Sequence, residues 1–230
     1  MKHIRLNSPY RKGHERSPRE FRYPITNVFY LPKPEDYYKM NFFRVLDSRS
    51  SRREWGALSM HSLSLLLWYV AKIKSTCKEE SGFVWQHRSV PSGGGRHPVD
   101  LLIIRHIKKK PTVDLYDPYG HALARVNVSN QIKLNSLLKK VDKILPFGEG
   151  TLIWLVGQFD RTMSKYANGE SLVWLDAGAL LATIYLVAET FRLNCCAIGI
   201  TGEPWVSDFL RSDCLAEGLC GCVIGSRPRV

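Results

Sequence analysis

The sequence lacks the short motifs that mark the best-known nucleotide, hydrolase and metal sites. It has no Gly-x-x-x-x-Gly-Lys-Ser/Thr loop and no Gly-x-Gly-x-x-Gly after a strand, which excludes the two familiar phosphate-binding loops. It also has no Gly-x-Ser-x-Gly, the motif of a serine hydrolase. A structural zinc site needs four ligands at characteristic spacings, and Cys220 and Cys222 have no second pair at a useful distance. We therefore predict no metal site.

Acidic residues are also few. The 230 residues include 21 Asp and Glu against 33 Lys and Arg, which gives a formal net charge of +12. Such an excess favours an anionic partner, either nucleic acid, a phosphorylated ligand, an acidic peptide or a membrane surface. Nucleic acid is disfavoured, because no recognisable nucleic-acid-binding motif accompanies the charge.

Disulfide and export signals are missing as well. The six cysteines lie mostly in apolar runs and lack the density of a disulfide framework. The first residues are basic and never reach the apolar core of a secretory signal. These two absences predict a cytoplasmic protein with reduced thiols.

Residues 172–193 form the most apolar stretch, and it has the length of a membrane-spanning helix. The stretch contains Asp176 and Glu189, and a carboxylate at the depth of the bilayer is costly. We therefore predict a helix that is apolar on nearly all sides and packs inside a domain or between subunits. No membrane span is predicted.

The first 36 residues differ in composition from the rest. Residues 1–23 hold seven Lys or Arg and two Glu with few large aliphatic residues, and Pro24 and Pro32 follow. A segment of this composition cannot build its own core. We predict a basic extended arm over residues 1–36 and one domain over residues 37–230. The arm has two equally open interpretations. It is either a segment that docks an anionic partner by its charge or a soluble tail without a binding role.

Hydrophobic periodicity in the domain predicts a mixture of helices and strands, which defines the α+β class. Ser59 can cap a helix in which Leu63, Leu66 and Val70 fall at helical spacing. A second, amphipathic helix is predicted over residues 132–144. Strands are predicted near residues 101–105, 114–116, 123–126, 151–156, 195–200 and 220–224.

Two polar stretches indicate a ligand. In SVPSGGGRHPVD, residues 89–100, three consecutive glycines let another group approach the main chain closely. In SRSSRREW, residues 48–55, an extended segment would place Arg49, Ser51 and Arg53 on one side. Two guanidiniums and a hydroxyl can bind a monoester phosphate. A tight turn explains the first stretch alone, and a solvated loop explains the second alone. Together they predict a ligand that has a phosphate at one end and a flat ring at the other, which is FMN.

Further stretches fall in a matching order: YDPYGHAL at 116–123, SKY at 164–166, LDAG at 175–178, AIGI at 197–200 and IGSRP at 224–228. With the two above, they resemble the nitroreductase-fold flavoproteins, and more narrowly the SagB/ThcOx-type dehydrogenases that oxidise thiazolines and oxazolines. The resemblance covers about residues 45–228. It implies a nitroreductase-like fold, with a central, mainly antiparallel sheet flanked by helices and a long buried central helix. It also implies a homodimer with each flavin at the subunit interface.

The resemblance assigns FMN-binding roles to three groups of residues. The phosphate would be held by Arg49, Ser51 and Arg53, with Arg227 as a further candidate. The edge of the isoalloxazine ring would run along Pro91, Ser92, Gly93 and Gly94. Backbone contacts near the reactive side of the ring would come from Gly199 and Ile200.

The resemblance also places Lys165 and Tyr166 as catalytic residues that face the substrate. Aromatising an azoline removes a proton from one ring carbon and a hydride from its neighbour, and flavin is the hydride acceptor. In general a buried lysine can act as the base, and an adjacent tyrosine can share or relay the proton. The expected substrate is an azoline in a precursor peptide or a carrier-bound compound, and a cyclodehydratase is a candidate partner.

The chain departs from the family after the Lys-Tyr pair. It has Asn168-Gly169-Glu170-Ser171 where the family commonly has a Gly-Tyr-Arg segment, and it has little room for the insertions of larger members. Both departures bear on the substrate more than on the cofactor. Two alternatives therefore stay open, an NAD(P)H-dependent nitroreductase or flavin reductase and a non-catalytic flavin-fold scaffold.

Overall fold

A seven-stranded sheet lies at the centre of the computed structural model, which describes residues 7–35, 40–78, 83–106 and 110–228. Every neighbouring pair of strands in it is antiparallel. Numbered along the chain, the strands follow across the sheet in the order β10 (Leu193–Ile198), β11 (Glu217–Ser226), β8 (Thr151–Gly157), β5 (Val99–Arg105), β6 (Thr112–Asp117), β7 (Ala122–Val126) and β2 (Ile25–Tyr30). Two ribbons lie outside it, β1 (Tyr10–Arg11) with β9 (Tyr166–Ala167) and β3 (Ser75–Lys78) with β4 (Val84–His87).

Helices cover both faces of the sheet. They are α1 (Phe42–Ser48), α2 (Met60–Ala71), α3 (Gln131–Ile144), α4 (Phe159–Met163), α5 (Glu170–Thr190) and α6 (Trp205–Leu210). Successive side chains of a strand point to opposite faces. Leu101 and Ile103 of β5 accordingly join one buried cluster with α2 and α5, while Leu102 and Ile104 join another with α3 and α6. The predicted α+β class is confirmed.

The strands and helices predicted in the domain are all present, with shifts at their ends. Ser59 caps α2, because its hydroxyl accepts a hydrogen bond from the N–H of Ser62. The prediction missed β2, the edge strand that pairs with β7, and it also missed α1, α4, α6 and the strands of the two ribbons. All six residues of β2 are exposed, so no buried alternating pattern reveals this strand in the sequence.

The long helix α5 packs on the sheet along one side. Its buried residues include Val173, Ala177 and Ile184, which recur at helical spacing. By length and composition alone α5 could also cross a membrane, as core helices often could. The predicted helix was apolar on nearly all sides. Within the single chain its burial is one-sided, since Trp174 and Leu175 are 44% and 68% exposed.

The described part of the predicted arm, residues 7–35, lies along the domain. Its composition implied that little of residues 1–23 could be buried, but Phe21 and Tyr23 pack against the cluster that includes α3 and α6. The hydroxyl of Tyr23 lies 3.2 Å from the carboxylate of Asp100, to which it donates a hydrogen bond. Burial raises the pKa of Tyr23, so this hydroxyl keeps its proton. The segment therefore contacts the domain through side chains as well as through β1 and β2.

Candidate functional site

The glycine loop, residues 91–97, joins β4 to β5. Gly93–Gly95 form one short 3-10 turn, and the φ angles of +63° at Gly94 and +65° at Gly95 favour glycine. The N–H of Gly93 donates to Oδ1 of Asp176 at 3.0 Å, and the hydroxyl of Ser92 donates to Oδ2 at 2.5 Å. A carboxylate of α5 therefore holds the main chain of the glycine loop.

A small cavity of about 20 Å³ adjoins the glycine loop, and Arg88, Ser92, His97 and Asp176 are among its lining residues. Burial raises the pKa of Asp176 even though Ser92 and Gly93 donate hydrogen bonds to it. Burial also lowers the pKa of His97 to about 4 and that of Arg88 to about 10. His97 is therefore neutral at pH 7, and Arg88 is still a cation.

Lys165 and Tyr166 lie beside the glycine loop. An ideal Cβ placed on Gly94 would be 2.6 Å from the hydroxyl oxygen of Tyr166, so this hydroxyl fills the space that a side chain would need. Lys165 is 9% exposed, and its Nζ lies 3.5 Å from Oε1 of Glu15. The turn after α4 sets this position, because the N–H of Lys165 donates to the carbonyl of Thr162. The predicted catalytic pair and Gly94 are thus neighbours.

A second cluster surrounds Tyr185 of α5. The hydroxyl oxygen of Ser51 lies 3.1 Å from that of Tyr185, and the Arg49 guanidinium lies 5.5 Å from the centre of its ring. The N–H of Ala197, in β10, donates to the same tyrosine hydroxyl at 2.6 Å. Arg49 and Ser51 are both exposed, so this cluster can meet a ligand from solution.

Arg52, between the predicted phosphate ligands, points inward. It donates to one oxygen of Glu189 at 2.5 Å, and Arg227 donates to the other at 2.8 Å. Burial opposes ionisation of Glu189, but these hydrogen bonds give it a pKa below its ordinary value. Arg227, a predicted phosphate ligand, is therefore ion-paired with Glu189 within the chain. Arg49 and Arg53 form no ion pair with any residue that the structure describes.

The remaining predicted residues, Gly199 and Ile200, directly follow β10. Gly199 is exposed, with open space where a Cβ would lie, and Ile200 packs partly against the core. The two clusters contact α5 at Asp176 and Tyr185, which are nine residues apart and therefore roughly 14 Å apart along the helix and about half a turn apart around it. Exposed cations in one cluster suit an anionic group of a ligand, and the glycine loop in the other suits a flat ring.

Four residues of the site had no predicted role in it: Asp176, Glu189, Tyr185 and Glu15. A signal existed for Asp176 and Glu189, since a carboxylate inside an apolar helix must find a partner. No such signal marks Tyr185 or Glu15. Their partners Ser51 and Arg96 lie 134 and 81 residues away in the sequence.

The chain combines an antiparallel sheet with helices on both faces, a cationic cluster and a glycine loop, and these features suit a flavin-dependent oxidoreductase. The chain belongs to the nitroreductase family, whose family model matches residues 75–226. Proteins of this family depend on FMN, so the predicted cofactor is confirmed at the level of the family. None of the curated proteins matches the sequence.

Solved structures have the same fold. A nitroreductase structure from Ralstonia eutropha JMP134 is 19% identical, with a TM-score of 0.65 over 94% of this chain and 99% of that one. An FMN-dependent nitroreductase from Clostridium difficile R20291 is 14% identical, with a TM-score of 0.51 over 81% and 87%. The E. coli microcin synthetase McbBCD complex with truncated pro-MccB17 bound contains a chain that is 18% identical, with a TM-score of 0.58 over 86% and 78%. These likenesses confirm the nitroreductase-like fold, and the narrower SagB/ThcOx type stays a prediction.

Proposed function

We propose that the chain is an FMN-dependent dehydrogenase that converts thiazoline or oxazoline rings, in a modified peptide or a carrier-bound substrate, to thiazoles or oxazoles. The observation that carries the proposal is the position of Lys165 and Tyr166. The Tyr166 hydroxyl lies against Gly94 in the glycine loop, and the neighbouring Lys165 is almost fully buried. A reductase that takes hydride from a nicotinamide needs no ionisable pair there, whereas removing a proton from carbon does.

The cofactor would be held by the predicted residues of the two clusters that contact α5. Arg49, Ser51 and Arg53 supply donors for its phosphate, and they are exposed. The main chain of residues 91–94 would border the ring, with Gly199 and Ile200 on its other side. FMN, when bound, supplies the hydride acceptor that the reaction requires.

The chain's own residues would handle the proton. Lys165 and Tyr166 provide an amine and a phenol at one place, and such a pair can remove a proton, hold it and pass it on. Burial of Lys165 keeps bulk water from competing at the amine. The turn after α4 fixes the main chain of Lys165, whose N–H donates to the carbonyl of Thr162, and the hydroxyl of the next residue, Tyr166, lies against Gly94.

A peptide substrate is supported by the fold shared with a chain of the microcin synthetase complex, which was solved with truncated pro-MccB17 bound. On the same ground we propose a cyclodehydratase as partner. We expect the chain to act in the cytoplasm. Exposed apolar residues support a homodimer, with Phe42 and Phe43 of α1 58% and 72% exposed and Leu175 of α5 68% exposed.

The test is oxidation of a synthetic peptide that carries one thiazoline ring. Lys165→Ala and Tyr166→Phe should each slow its oxidation by roughly 10²–10⁴-fold, because a positioned general base or acid is worth that much. Both variants should still hold FMN and still be reduced by dithionite. Lys139→Ala and Tyr30→Phe, at exposed positions on α3 and β2, are the matched controls and should keep wild-type rates.

Near wild-type rates in both Lys165→Ala and Tyr166→Phe would overturn the proton-transfer role. Rapid bleaching of the flavin by NADPH together with no thiazoline oxidation would favour the reductase. A purified chain that binds no flavin would favour the scaffold.

A further inference from the structure

Residues 8–19 lie in a groove formed by residues 160–168 and Arg96, which we call the arm groove. Within it Tyr10 and Arg11 pair antiparallel with Ala167 and Tyr166. The N–H of Lys12 donates to the carbonyl of Lys165 at 2.9 Å. These main-chain contacts begin at the proposed catalytic pair itself. They do not depend on side-chain identity, so any extended peptide could make them.

Side chains fix the position of residues 8–19 in the arm groove. Arg16 donates to both carboxylate oxygens of Asp160, to Oδ2 at 2.6 Å. The Nζ of Lys12 donates to the carbonyl of Met163 at 2.6 Å. Residues 8–19 are therefore held by an ion pair at Arg16 and by main-chain pairing at Tyr10 and Arg11.

Glu15 occupies the centre of the arm groove. One of its oxygens accepts a hydrogen bond from Arg96, whose side chain is 2% exposed, and the other lies 3.5 Å from Nζ of Lys165. Burial opposes ionisation of Glu15, but the bond and charge of Arg96 bring its pKa below the ordinary value. Residues 1–23 contain seven basic residues and only one other acidic residue, Glu20. The arm groove thus holds a carboxylate from a segment that is otherwise basic.

We propose that the arm groove is the binding site of the substrate peptide, and that residues 8–19 occupy it in the peptide's place. The peptide would add as a strand to Tyr166 and Ala167, which brings its main chain to the catalytic pair. In the arm, Arg11 lies opposite Tyr166 and Glu15 follows it by four residues. The substrate peptide would likewise carry a carboxylate four residues after its own residue opposite Tyr166. This inference rests on the proposed function, since it assigns the substrate of the same site.

Exchange of the two occupants is physically reasonable. The main-chain pairing spans only two residues, and Tyr10 and Arg11 remain 63% and 70% exposed in it. A tethered segment competes at an effective concentration in the millimolar range, so it lowers the apparent affinity of a peptide without excluding it. Departure of Glu15 removes the carboxylate beside Arg96 and Lys165, and an acidic residue of the peptide restores it.

The experiment measures fluorescence polarisation of a labelled synthetic peptide, SPYRKGHERSPR, which copies residues 8–19. The protein is the FMN-bound full-length chain as wild type and as Glu15→Gln. Glu15→Gln should bind the peptide about tenfold more tightly than wild type, because loss of one charge-assisted hydrogen bond weakens the competing arm by about that factor. A peptide with Gln in place of its Glu should bind about tenfold more weakly.

Two further variants make the result specific. Arg16→Ala frees the arm from Asp160 without touching Arg96 or Lys165, and it should also tighten peptide binding. Glu20→Gln removes the only other acidic residue of residues 1–23, which pairs with Arg161 and is 42% exposed, and it should bind like wild type. Equal binding of the Glu and Gln peptides, or equal binding by wild type, Glu15→Gln and Arg16→Ala, would overturn the inference.

The same proteins separate this inference from the proposed function. Thiazoline peptides that carry Glu or Gln four residues after the ring are compared as substrates of the Glu15→Gln chain. Preference for the Glu peptide in KM supports the inference. Oxidation of both with equal KM would leave the proposed function standing and overturn the arm groove as the substrate site. No oxidation of either, with carboxylate-dependent binding intact, would overturn the proposed function alone.

Discussion

Asp176 of α5 binds the N–H of Gly93, 83 residues earlier in the sequence, at 3.0 Å. Asp176→Ala removes the acceptor for Gly93 and for Ser92. Each hydrogen bond to a charged group contributes about 1.5–3 kcal/mol, so the glycine loop should lose its fixed shape. We expect the purified variant to retain less FMN, measured as flavin absorbance per chain after dialysis.

Asp176→Asn is the matched control for this position. It keeps one acceptor oxygen for Gly93 and should retain more FMN than Asp176→Ala. If Asp176→Ala keeps the full wild-type flavin content, the glycine loop does not depend on this carboxylate.

The proposed phosphate ligands predict a graded loss of FMN affinity. Arg49→Ala and Arg53→Ala should each raise the Kd for FMN by roughly 10–100-fold, the equivalent of one charge-assisted hydrogen bond. Fluorescence titration of the flavin-free chain measures this. Arg44→Ala, which removes an exposed arginine from the neighbouring helix α1, should leave the Kd unchanged. A similar effect from all three variants would indicate general charge attraction rather than a phosphate site.

Asp114 predicts a large effect on stability. It is 0% exposed in β6, where it pairs with Arg105 at 2.8 Å and with Arg125 at 2.5 Å. Asp114→Ala should lower the free energy of unfolding by about 3–5 kcal/mol, because it leaves two arginines without their carboxylate. Urea denaturation measures the change. The control is Asp208→Ala, which breaks the exposed pair with Lys133 and should cost only about 0–1 kcal/mol.

Acid should loosen the arm. The hydrogen bond from Arg16 lowers the pKa of Asp160 below its ordinary value in the folded chain, although burial opposes this. The resulting stabilisation is complete above about pH 4, and it is lost as the pH falls through the lowered pKa. Hydrogen exchange of the amides of Arg16, Ser17 and Arg19, corrected for the intrinsic rate, should therefore accelerate below that pH. Asp160→Asn should lack this dependence, and identical pH profiles for the two proteins would contradict the assignment.

The proposed homodimer predicts that a charge on α5 separates the subunits. Leu175→Glu places a carboxylate on the exposed apolar side of this helix, where burial in an interface would be costly. Sedimentation should show monomers for Leu175→Glu and dimers for the wild type. Ile132→Glu, at a 77% exposed position on α3, is the control and should stay dimeric. A monomeric wild type at micromolar concentration would refute the dimer.

Much of the fold could be predicted from the sequence because its signals are local. The apolar run of β5, the helical spacing of α2 and the length of α5 each depend on residues within one element. The alternation of Arg49 and Ser51 with an inward Arg52 also follows from strand-like geometry alone. The exposed edge strand β2 could not be predicted, since it lacks a buried stripe.

The sequence by itself determined the types of the longer helices and the buried strands, the family resemblance and the two stretches that point to a flavin. Only the tertiary structure decided which of these residues meet. Asp176 reaches Gly93 across 83 residues, Arg52 reaches Glu189 across 137, and Arg96 reaches Glu15 across 81. Contacts of this kind depend on how whole helices and strands pack, and no periodicity within one element encodes them. The placement of Glu15 beside Lys165, from which the arm groove was inferred, is therefore a property of the folded chain.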